Sequence, residues 1–426
     1  MGSIPGGFSS WLFWLLYSFL FLEGECAKWR IIGYGDEDNE KFTKVASAFS
    51  STLLYTFGGE YEGKFNGHLK SFDPSTRRWS KLTATGNIPS HRAGATLTKI
   101  ATGLYLIGGH NEHGTLGSIH KYDIITNKWH KVLLPDDFTF TSRSGHAACT
   151  DGRNRIFVFG GYNDEGLFLN DLYEISLESR SDPETESIQY FAKFKLLSSA
   201  AEPNAVNPPP KEFSTMQVVD GKLYLYGGYS YGGSNNDGMY VSSIDFIEPI
   251  RWMLDLKDSL WKQLEFQLSP PPSEGIASVS MGRSILYFGG CDFSYTSNRC
   301  YKYADYICSQ MLPSDLWKYD TTSSKWSIIP TPLEAKPTGR AFSAMGFLND
   351  GILLHGGSQL EKKVFSETYH LVELLSCKDP QHTCLGRGTC NYSYCTCNKG
   401  FQGHDCSIEV VPESVIKPQE EKHTEM

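Results

Sequence analysis

Short apolar runs of β-forming residues, each ending at a pair of glycines, recur along most of the chain. The runs at 53–57 and 156–159, for example, are rich in aromatic and branched residues and are as short as strands. Six Gly-Gly pairs follow such runs: Gly58-Gly59, Gly108-Gly109, Gly160-Gly161, Gly227-Gly228, Gly289-Gly290 and Gly356-Gly357. Repeats of about fifty residues built from short strands predict a propeller or a solenoid rather than one mixed sheet.

A tryptophan pattern in the second half of four of the repeats supports this period. In four repeats an aromatic or aliphatic residue precedes a tryptophan with six residues between them: Phe72 and Trp79, Tyr122 and Trp129, Leu254 and Trp261, Tyr319 and Trp326. Repeat three is degenerate and runs from Tyr173 through an acidic insertion to residues 194–197. We expect the aromatic residues to fill the gaps between neighbouring sheets, where each can bury a large area.

These markers resemble the kelch-repeat family, and the resemblance covers about residues 28–375. It implies an all-β fold, a β-propeller with four-stranded blades. We predict six blades, with seven as the alternative, within a domain spanning 27–375. Repeat six lacks a tryptophan strand after residues 369–372, whereas residues 29–32 read like the strand that contains Trp326. The N-terminal strand is therefore predicted to complete the sixth blade, which removes exposed strand edges.

The N-terminus predicts export. Residues 11–22 are apolar apart from Ser18, which is too short a stretch for a membrane span and typical of a signal-peptide core. We predict a signal peptide at 1–26 and a secreted product. The polar segment 409–426 is predicted to be a disordered tail. Its last residues, His423 to Met426, weakly resemble a retention signal, so residence in the endoplasmic reticulum lumen is the alternative.

Six cysteines near the C-terminus resemble an EGF-like module, predicted over residues 376–408. Spacing alone leaves fifteen connectivities open, with a zinc knuckle as the alternative to a disulfide framework. The resemblance implies three disulfides, Cys377–Cys390, Cys384–Cys395 and Cys397–Cys406, and a form without calcium. Two sugar sites are predicted next to each other, N-linked at Asn391 and O-linked at Thr389.

The remaining cysteines fall into two groups. Cys149 is expected to be a buried apolar residue on a first strand rather than a nucleophile. Cys291, Cys300 and Cys308 share one loop, in which we predict at least one disulfide, and the pairing of the third thiol stays open.

Two unusually long connections point to a protein-binding surface. The net charge of −9 disfavours nucleic acid as a partner. Repeats four and five have connections after their glycines that are about twice as long as those of the other repeats, and both are rich in aromatic residues. The predicted binding residues in them are Tyr229, Tyr231, Tyr240, Phe293, Tyr295, Tyr301 and Tyr303. Such loops suit recognition of an extracellular protein or glycan, whereas the alternative is that they pack on each other as a cap.

A second candidate site is a ring of residues that open the first strands: Lys44, Arg92, Arg143, Glu212, Glu274 and Arg340. The kelch resemblance implies that arginines here, namely Arg92, Arg143 and Arg340, can line a ligand pocket. The mixed signs favour salt bridges between blades instead.

A catalytic role is not favoured. The strongest metal-like group is His110-Asn111-Glu112-His113 with His120, which we interpret as solvated loop histidines, and no motif for a cofactor or phosphate is found. The order of modules is similar to part of the attractin family of extracellular and membrane proteins. We therefore predict a secreted, non-catalytic binding protein without cofactor, metal or membrane span. A metal-dependent oxidase and a factor resident in the endoplasmic reticulum are the alternatives.

Overall fold

The computed structural model describes residues 27–35, 42–181, 188–198, 207–229, 251–265, 269–270, 273–292, 310–311, 314–329, 331, 336–348, 351–359, 363–372, 387–391, 394–399, 401–402 and 408–409. These residues form strands and loops and contain no α-helix. Within them, accordingly, no helix is long and apolar enough to cross a membrane.

The strands follow the repeats along the chain. Before the repeats lies β1 (Lys28–Gly33). Repeat one contains β2 (Ala46–Phe49), β3 (Leu54–Phe57), β4 (Glu60–Tyr61), β5 (Lys64–Phe65), β6 (Leu69–Asp73), β7 (Arg78–Lys81) and β8 (Thr85–Gly86). Repeat two contains β9 (Thr96–Ile100), β10 (Gly103–Ile107), β11 (His110–Asn111), β12 (Gly114–Thr115), β13 (Ile119–Asp123) and β14 (Lys128–Leu133). Repeat three contains β15 (Ala147–Thr150), β16 (Arg155–Tyr162), β17 (Phe168–Ser181) and β18 (Ile188–Ser198).

The second half of the chain continues this order. Repeat four contains β19 (Thr215–Val219), β20 (Lys222–Tyr226), β21 (Arg251–Asp255) and β22 (Leu260–Leu264). Repeat five contains β23 (Ala277–Met281), β24 (Ser284–Phe288), β25 (Cys291–Asp292), β26 (Gln310–Met311), β27 (Leu316–Asp320) and β28 (Lys325–Ile329). Repeat six contains β29 (Ala344–Leu348), β30 (Gly351–His355), β31 (Ser358–Gln359), β32 (Lys363–Val364) and β33 (Thr368–Val372). The C-terminal hairpins are β34 (Gly388–Asn391), β35 (Tyr394–Cys397), β36 (Phe401–Gln402) and β37 (Ile408–Glu409).

Four separate four-stranded antiparallel sheets are formed, with the orders β2-β3-β6-β7, β19-β20-β21-β22, β23-β24-β27-β28 and β1-β33-β30-β29. In the first three, all strands come from one repeat. In the last, β1 supplies the fourth strand of repeat six and pairs antiparallel with β33, so that Trp29 lies opposite Leu371. The predicted pairing of the N-terminal strand with residues 369–372 is confirmed.

Repeats two and three share one larger sheet. Each contributes an antiparallel four-stranded run, β9-β10-β13-β14 and β15-β16-β17-β18. The two runs join because β17 and β18 extend into a long ribbon whose far end pairs in parallel with β14, at Val132 opposite Tyr190. Residues 194–197 do form part of the fourth strand of repeat three, as the sequence predicts. The joining of the two runs was not predicted.

The repeats close on themselves. The first strand of each repeat contacts the first strand of the next, and β29 of repeat six contacts β2 of repeat one. Each Gly-Gly pair has positive φ, as at Gly58 (78°) and Gly59 (101°). A Cβ atom on Gly58 would collide with the carbonyl oxygen of Arg92 in the following repeat. The glycines are thus required both by their backbone conformation and by this close approach.

Aromatic contacts between consecutive repeats fill the interior of the ring. A tryptophan of one repeat packs against an aromatic ring of the repeat before it, with centroids between 5.6 and 6.0 Å apart: Phe57–Trp129, Phe159–Trp261, Tyr226–Trp326 and Phe288–Trp29. Trp29 therefore occupies in repeat six the place that the tryptophan strand holds in the other repeats. Its exposure of 2% shows that the closure is dry.

Candidate functional site

Six backbone segments meet at one end of the ring, directly before the first strand of each repeat. Each segment contains one residue with positive φ: Lys44, Gly94, Gly145, Phe213, Gly275 and Phe342. Five hydrogen bonds connect these residues in chain order. In each bond the amide of one residue donates to the carbonyl of the residue that precedes it in this series, beginning with Gly94 to Lys44 and ending with Phe342 to Gly275. These bonds hold the segments side by side around the centre of the ring.

A second set of residues is fixed at the same end. The residue before each positive-φ position forms an isolated antiparallel bridge with the residue that follows the Gly-Gly pair of its own repeat: Thr43–Glu60, Ala93–His110, Ser144–Tyr162, Glu212–Tyr229, Glu274–Cys291 and Ala341–Ser358. Tyr229, His110 and Cys291 were singled out from the sequence for separate reasons, but their common position after the glycines was not predicted. Its constant offset from each Gly-Gly pair was the signal that could have revealed it.

Polar side chains from these positions form what we call the mouth cluster, which consists of Lys44, Glu60, His110, Ser144, Glu212 and Glu274. One half of it is tightly bonded. Lys44 Nζ lies 2.7 Å from Glu60 Oε1, and His110 Nε2 donates to Glu60 Oε2 over 3.2 Å. Although burial alone would raise it, the bonds from His110 and Lys44 lower the pKa of Glu60 to about 2.

The other half of the mouth cluster consists of two carboxyl groups. Burial raises the pKa of Glu212 to about 7 against the opposing effect of Lys44. For Glu274, burial and then the neighbouring charge of Glu212 raise the pKa to about 8, again opposed by Lys44. Glu274 is only 8% exposed. The charge of Glu212 therefore adds to burial in disfavouring the ionisation of Glu274.

Two aromatic rings lie beside these acids. Phe213 follows Glu212 in the chain, and its ring packs edge-on against that of Phe342 with centroids 4.9 Å apart. The ammonium of Lys44 lies 5.5 Å from the centroid of Phe213, within the range of a cation–π contact. The mouth cluster thus combines carboxyl groups with aromatic surface, a combination suited to positive charge.

The three arginines predicted to bind ligand are buried inside their own repeats. Arg92, Arg143 and Arg340 are at most 2% exposed, and Nη1 of each donates to the carbonyl of the first glycine of its own repeat, over 2.9 to 3.1 Å. Arg143 also makes a bidentate contact with Asp171 at 2.7 and 2.8 Å.

Salt bridges between blades, the favoured alternative, are not formed by Arg143 and Arg340, because their acidic partners Asp171 and Glu367 belong to the same repeats. The described contacts of Arg92 are with Ser90, Gly108 and Ser118.

The six residues predicted as a single ring occupy three successive positions of the repeat, and Lys44 is two residues beyond the arginine position. The residues equivalent to the arginines in repeats four and five are Lys211 and Ser273. The backbone carbonyl at each of these five positions accepts a hydrogen bond from the amide of the second glycine of the preceding repeat. Glu212 and Glu274 are each one residue further along.

The metal-like histidine group does not converge. His110 belongs to the mouth cluster, Glu112 pairs with His91 at 2.8 Å, and His113 is exposed. His120 lies in β13, where burial lowers its pKa to about 4. Within the described ranges, no three His, Cys, Asp or Glu side chains are arranged to hold a metal ion.

Of the predicted loop residues, only Tyr229 lies within the described part of the chain. It packs edge-on against Phe168, with centroids 5.9 Å apart. The others lie outside the described residues: Tyr231, Tyr240, Phe293, Tyr295, Tyr301 and Tyr303. β25 and β26 pair with each other at the two ends of the long connection of repeat five, with Cys291 opposite Met311.

The cysteines are described only in part. Cys149 is buried and free in β15, as predicted, and burial raises the pKa of its thiol. Cys291 is disulfide-bonded. In the predicted EGF-like module, Cys390 and Cys395 lie opposite each other in the β34–β35 hairpin, and Thr389 and Asn391 lie in the same β34. The signal peptide at 1–26 and the cysteines Cys377, Cys384 and Cys406 lie outside the described residues. The disulfide pairings and sugar sites remain predictions.

Comparison with known proteins agrees with the repeat architecture. A family profile described as the KLHDC2/KLHL20/DRC7 Kelch-repeats domain matches residues 16–138 and 134–357. The chain is 25% identical over 243 residues to an N-(sulfonatooxy)prop-2-enimidothioate sulfolyase of Thlaspi arvense, covering 56% of this chain and 66% of that protein. It is 26% identical over 173 residues to Kelch domain-containing protein 1 of Mus musculus, covering 38% and 39% respectively.

A third relative matches over a longer stretch. Adagio-like protein 3 of Oryza sativa subsp. japonica is 24% identical over 368 residues, covering 82% of this chain and 51% of that protein. The chain thus spans between 39% and 66% of the length of these three relatives. One of the three relatives is named as an enzyme and another is named for its kelch domain.

Proposed function

Because the chain belongs to the kelch-repeat family and folds as an all-β, kelch-type propeller, we propose that it is a protein-binding propeller that docks its partner on the face carrying the mouth cluster. The proposed ring has six blades, the last of which is completed by β1. A propeller presents loops from several blades on one face, so these loops can form a composite binding surface that needs no catalytic residues.

The observation that carries this proposal is the attachment of the two long connections. Tyr229, where the connection of repeat four begins, is bridged to Glu212, and Cys291, where that of repeat five begins, is bridged to Glu274. The two aromatic-rich segments therefore start beside two adjacent members of the mouth cluster. A partner that contacts both loops would cover the mouth cluster as well.

Export is part of the proposal. The disulfide at Cys291 supports an oxidising compartment, because disulfides persist mainly in secreted proteins. The apolar N-terminal segment and the cysteine-rich segment 376–408 fit the same interpretation. The proposed partner is accordingly an extracellular protein or glycan, and the segment 376–408 is proposed to form an EGF-like module.

The test exchanges one loop and leaves the rest of the propeller intact. In the exchange variant, residues 230–250 are replaced by residues 61–68, the corresponding short connection of repeat one. Binding of the purified, fluorescently labelled protein to intact cells is measured by flow cytometry. We expect binding to fall at least about tenfold, since loop residues supply most contacts on such a surface.

The control variant is Ile125→Asp. Ile125 is 76% exposed in the β13–β14 turn, at the opposite end of the sheet from the mouth cluster. This variant should bind to cells as tightly as the unmodified protein does. Equal binding by the exchange variant, with an unchanged melting temperature, would exclude the loop of repeat four from recognition.

A further inference from the structure

We propose that the mouth cluster is a binding site for a cationic side chain, ammonium or guanidinium, presented by the partner protein. The inference deepens the proposed function and rests on it, because the cation would be delivered by the docked partner. It is argued from the carboxyl groups of Glu212 and Glu274, from the charge around them, and from the adjacent aromatic rings.

Glu274 is a buried acid whose carboxyl group has no partner of its own. Its backbone is fixed by hydrogen bonds of 3.1 and 3.0 Å with Cys291, but its side chain makes no hydrogen bond or ion pair to any residue in the described part of the chain. More than nine-tenths of it is buried. A buried acid in this state is costly unless it is neutral or meets a positive charge.

Glu212 adds a second acid at the same place. One of its carboxylate oxygens lies within 3 Å of where a side chain on Gly145 would begin, which places the carboxyl group over the neighbouring repeat. Glycine at 145 leaves room for this carboxyl group beside one of the backbone segments that meet at the mouth. Like Glu274, Glu212 has no hydrogen-bonded side-chain partner among the described residues.

The cations already present do not neutralise the two acids. Lys44 is the ammonium that acts on both, but its Nζ is bonded to Glu60 at 2.7 Å. His110 is likewise occupied by Glu60 and Ser144, at 3.2 and 2.8 Å. Among the residues that the structure describes, three carboxyl groups of the mouth cluster therefore share one ammonium and one imidazole. An additional positive charge would find two acids available.

The aromatic rings favour an organic cation over a metal ion. Lys44 shows that an ammonium is accommodated here, 5.5 Å from the centroid of Phe213 and bonded to a carboxylate. Phe342 extends the same aromatic surface toward Gly275, next to Glu274. A side-chain cation could lie on these rings while it pairs with the acids. A divalent cation would need a larger set of oxygen ligands.

The site is open to solvent at its rim. The side chains of Lys44, Glu60 and His110 are 27%, 22% and 26% exposed. A long side chain such as that of lysine or arginine can reach the buried acids from this rim while its backbone stays on the surface. Ionisation of Glu212 and Glu274 accompanies such binding, so protons are released and affinity rises with pH between about 6 and 8.

The test uses three short peptides that differ in one side chain: acetyl-Gly-Lys-Gly-amide, acetyl-Gly-Arg-Gly-amide and acetyl-Gly-norleucine-Gly-amide. Each is titrated into the full-length protein by calorimetry at pH 6 and pH 8, in two buffers with different ionisation enthalpies. We expect either cationic peptide to bind at least about tenfold more tightly than the norleucine peptide. We expect its affinity to rise at least about tenfold from pH 6 to pH 8 with proton release, and by more if both acids ionise. The variant Glu212→Gln/Glu274→Gln should lose this preference, while Glu165→Gln, an exposed acid outside the cluster, should keep it.

The unmodified protein alone can overturn the inference, so the test does not depend on the variant's folding. Equal affinity for the lysine and norleucine peptides, or affinity that does not change with pH, would overturn it. Binding of manganese or calcium chloride that is lost in the double variant, without cationic peptide binding, would overturn it in favour of a metal site. The loop-exchange variant separates the two proposals, because it should lose cell binding and keep peptide binding.

Discussion

Glu274→Gln removes the charge of the most buried acid in the mouth cluster and leaves its shape almost unchanged. The pKa of Glu274 is raised from 4.5 to about 8 in the folded protein by burial and by Glu212. Because this pKa is raised, the carboxyl group of Glu274 releases its proton at a higher pH in the folded protein than in the unfolded chain. The folded state of the unmodified protein is therefore progressively penalised as pH rises from about 4.5 to about 8, and the variant escapes this penalty.

The size of the effect follows from the same shift. Between those two pKa values the penalty grows by about 1.4 kcal/mol for each pH unit, so it increases by about 3 kcal/mol from pH 5.5 to pH 8.5. For a propeller of this size, with unfolding entropy proportional to its length, 3 kcal/mol corresponds to a difference in melting temperature of about 4 °C. The melting temperature of the variant minus that of the unmodified protein should therefore be about 4 °C larger at pH 8.5 than at pH 5.5.

The assay is the melting temperature by scanning calorimetry from pH 5.5 to pH 8.5, for the unmodified protein, Glu274→Gln and the control Glu165→Gln. Glu165 is an exposed acid near the same face, so its variant should follow the unmodified protein at every pH. A constant offset between Glu274→Gln and the unmodified protein across this range would show that Glu274 is ionised throughout. That result would refute the reasoning about both acids.

Two further substitutions test the closure of the ring and the buried arginines. Trp29→Ala should cost about 3 to 5 kcal/mol in the free energy of unfolding, because it empties a dry contact between repeats, whereas Ile31→Ala in the same strand, 44% exposed, should cost less than about 1 kcal/mol. Urea unfolding measures both, and equal losses would argue against closure by β1. Asp171→Asn should cost about 3 kcal/mol, since it breaks the bidentate pair of a fully buried arginine, Arg143. Glu367→Gln, whose single contact with its buried arginine is 3.5 Å, should cost less than about 1 kcal/mol in the same assay, and the reverse order would refute the argument.

The repeat architecture could be predicted because its markers are local. Six intervening residues place Phe72 directly opposite Trp79 in adjacent antiparallel strands, and the same spacing has the same result in three other repeats. The resemblance of residues 29–32 to the strand of Trp326 was enough to predict where β1 pairs. The merging of repeats two and three could not be predicted, because it depends on how far the ribbon of β17 and β18 extends in space.

The candidate site was predicted less well for a physical reason. Arginine near the start of a first strand has the same sequence signature whether it faces a ligand or caps a glycine carbonyl, and Arg92 shows that a buried carbonyl can be its partner. Charge alone also does not distinguish a paired acid from an unpaired one. Glu60 and Glu274 are both glutamates at the mouth, yet their pKa values shift in opposite directions. Glu60 bonds to Lys44 and His110, whereas the side chain of Glu274 has no hydrogen-bonded partner among the described residues.

The two phenylalanines at the mouth indicate that this surface is not determined by the architecture alone. Phe213 and Phe342 adopt φ angles of 52° and 59°, at positions where three other repeats have glycine. A left-handed backbone costs a residue with a side chain about 1 to 2 kcal/mol, so glycine would serve the ring better at both positions. The edge-on contact between the two rings returns about 1 kcal/mol in addition to the burial of their apolar surface, and together these gains offset the cost of the left-handed backbone. The same two positions place aromatic surface beside Glu212 and Glu274, where the cation of the proposed partner would lie.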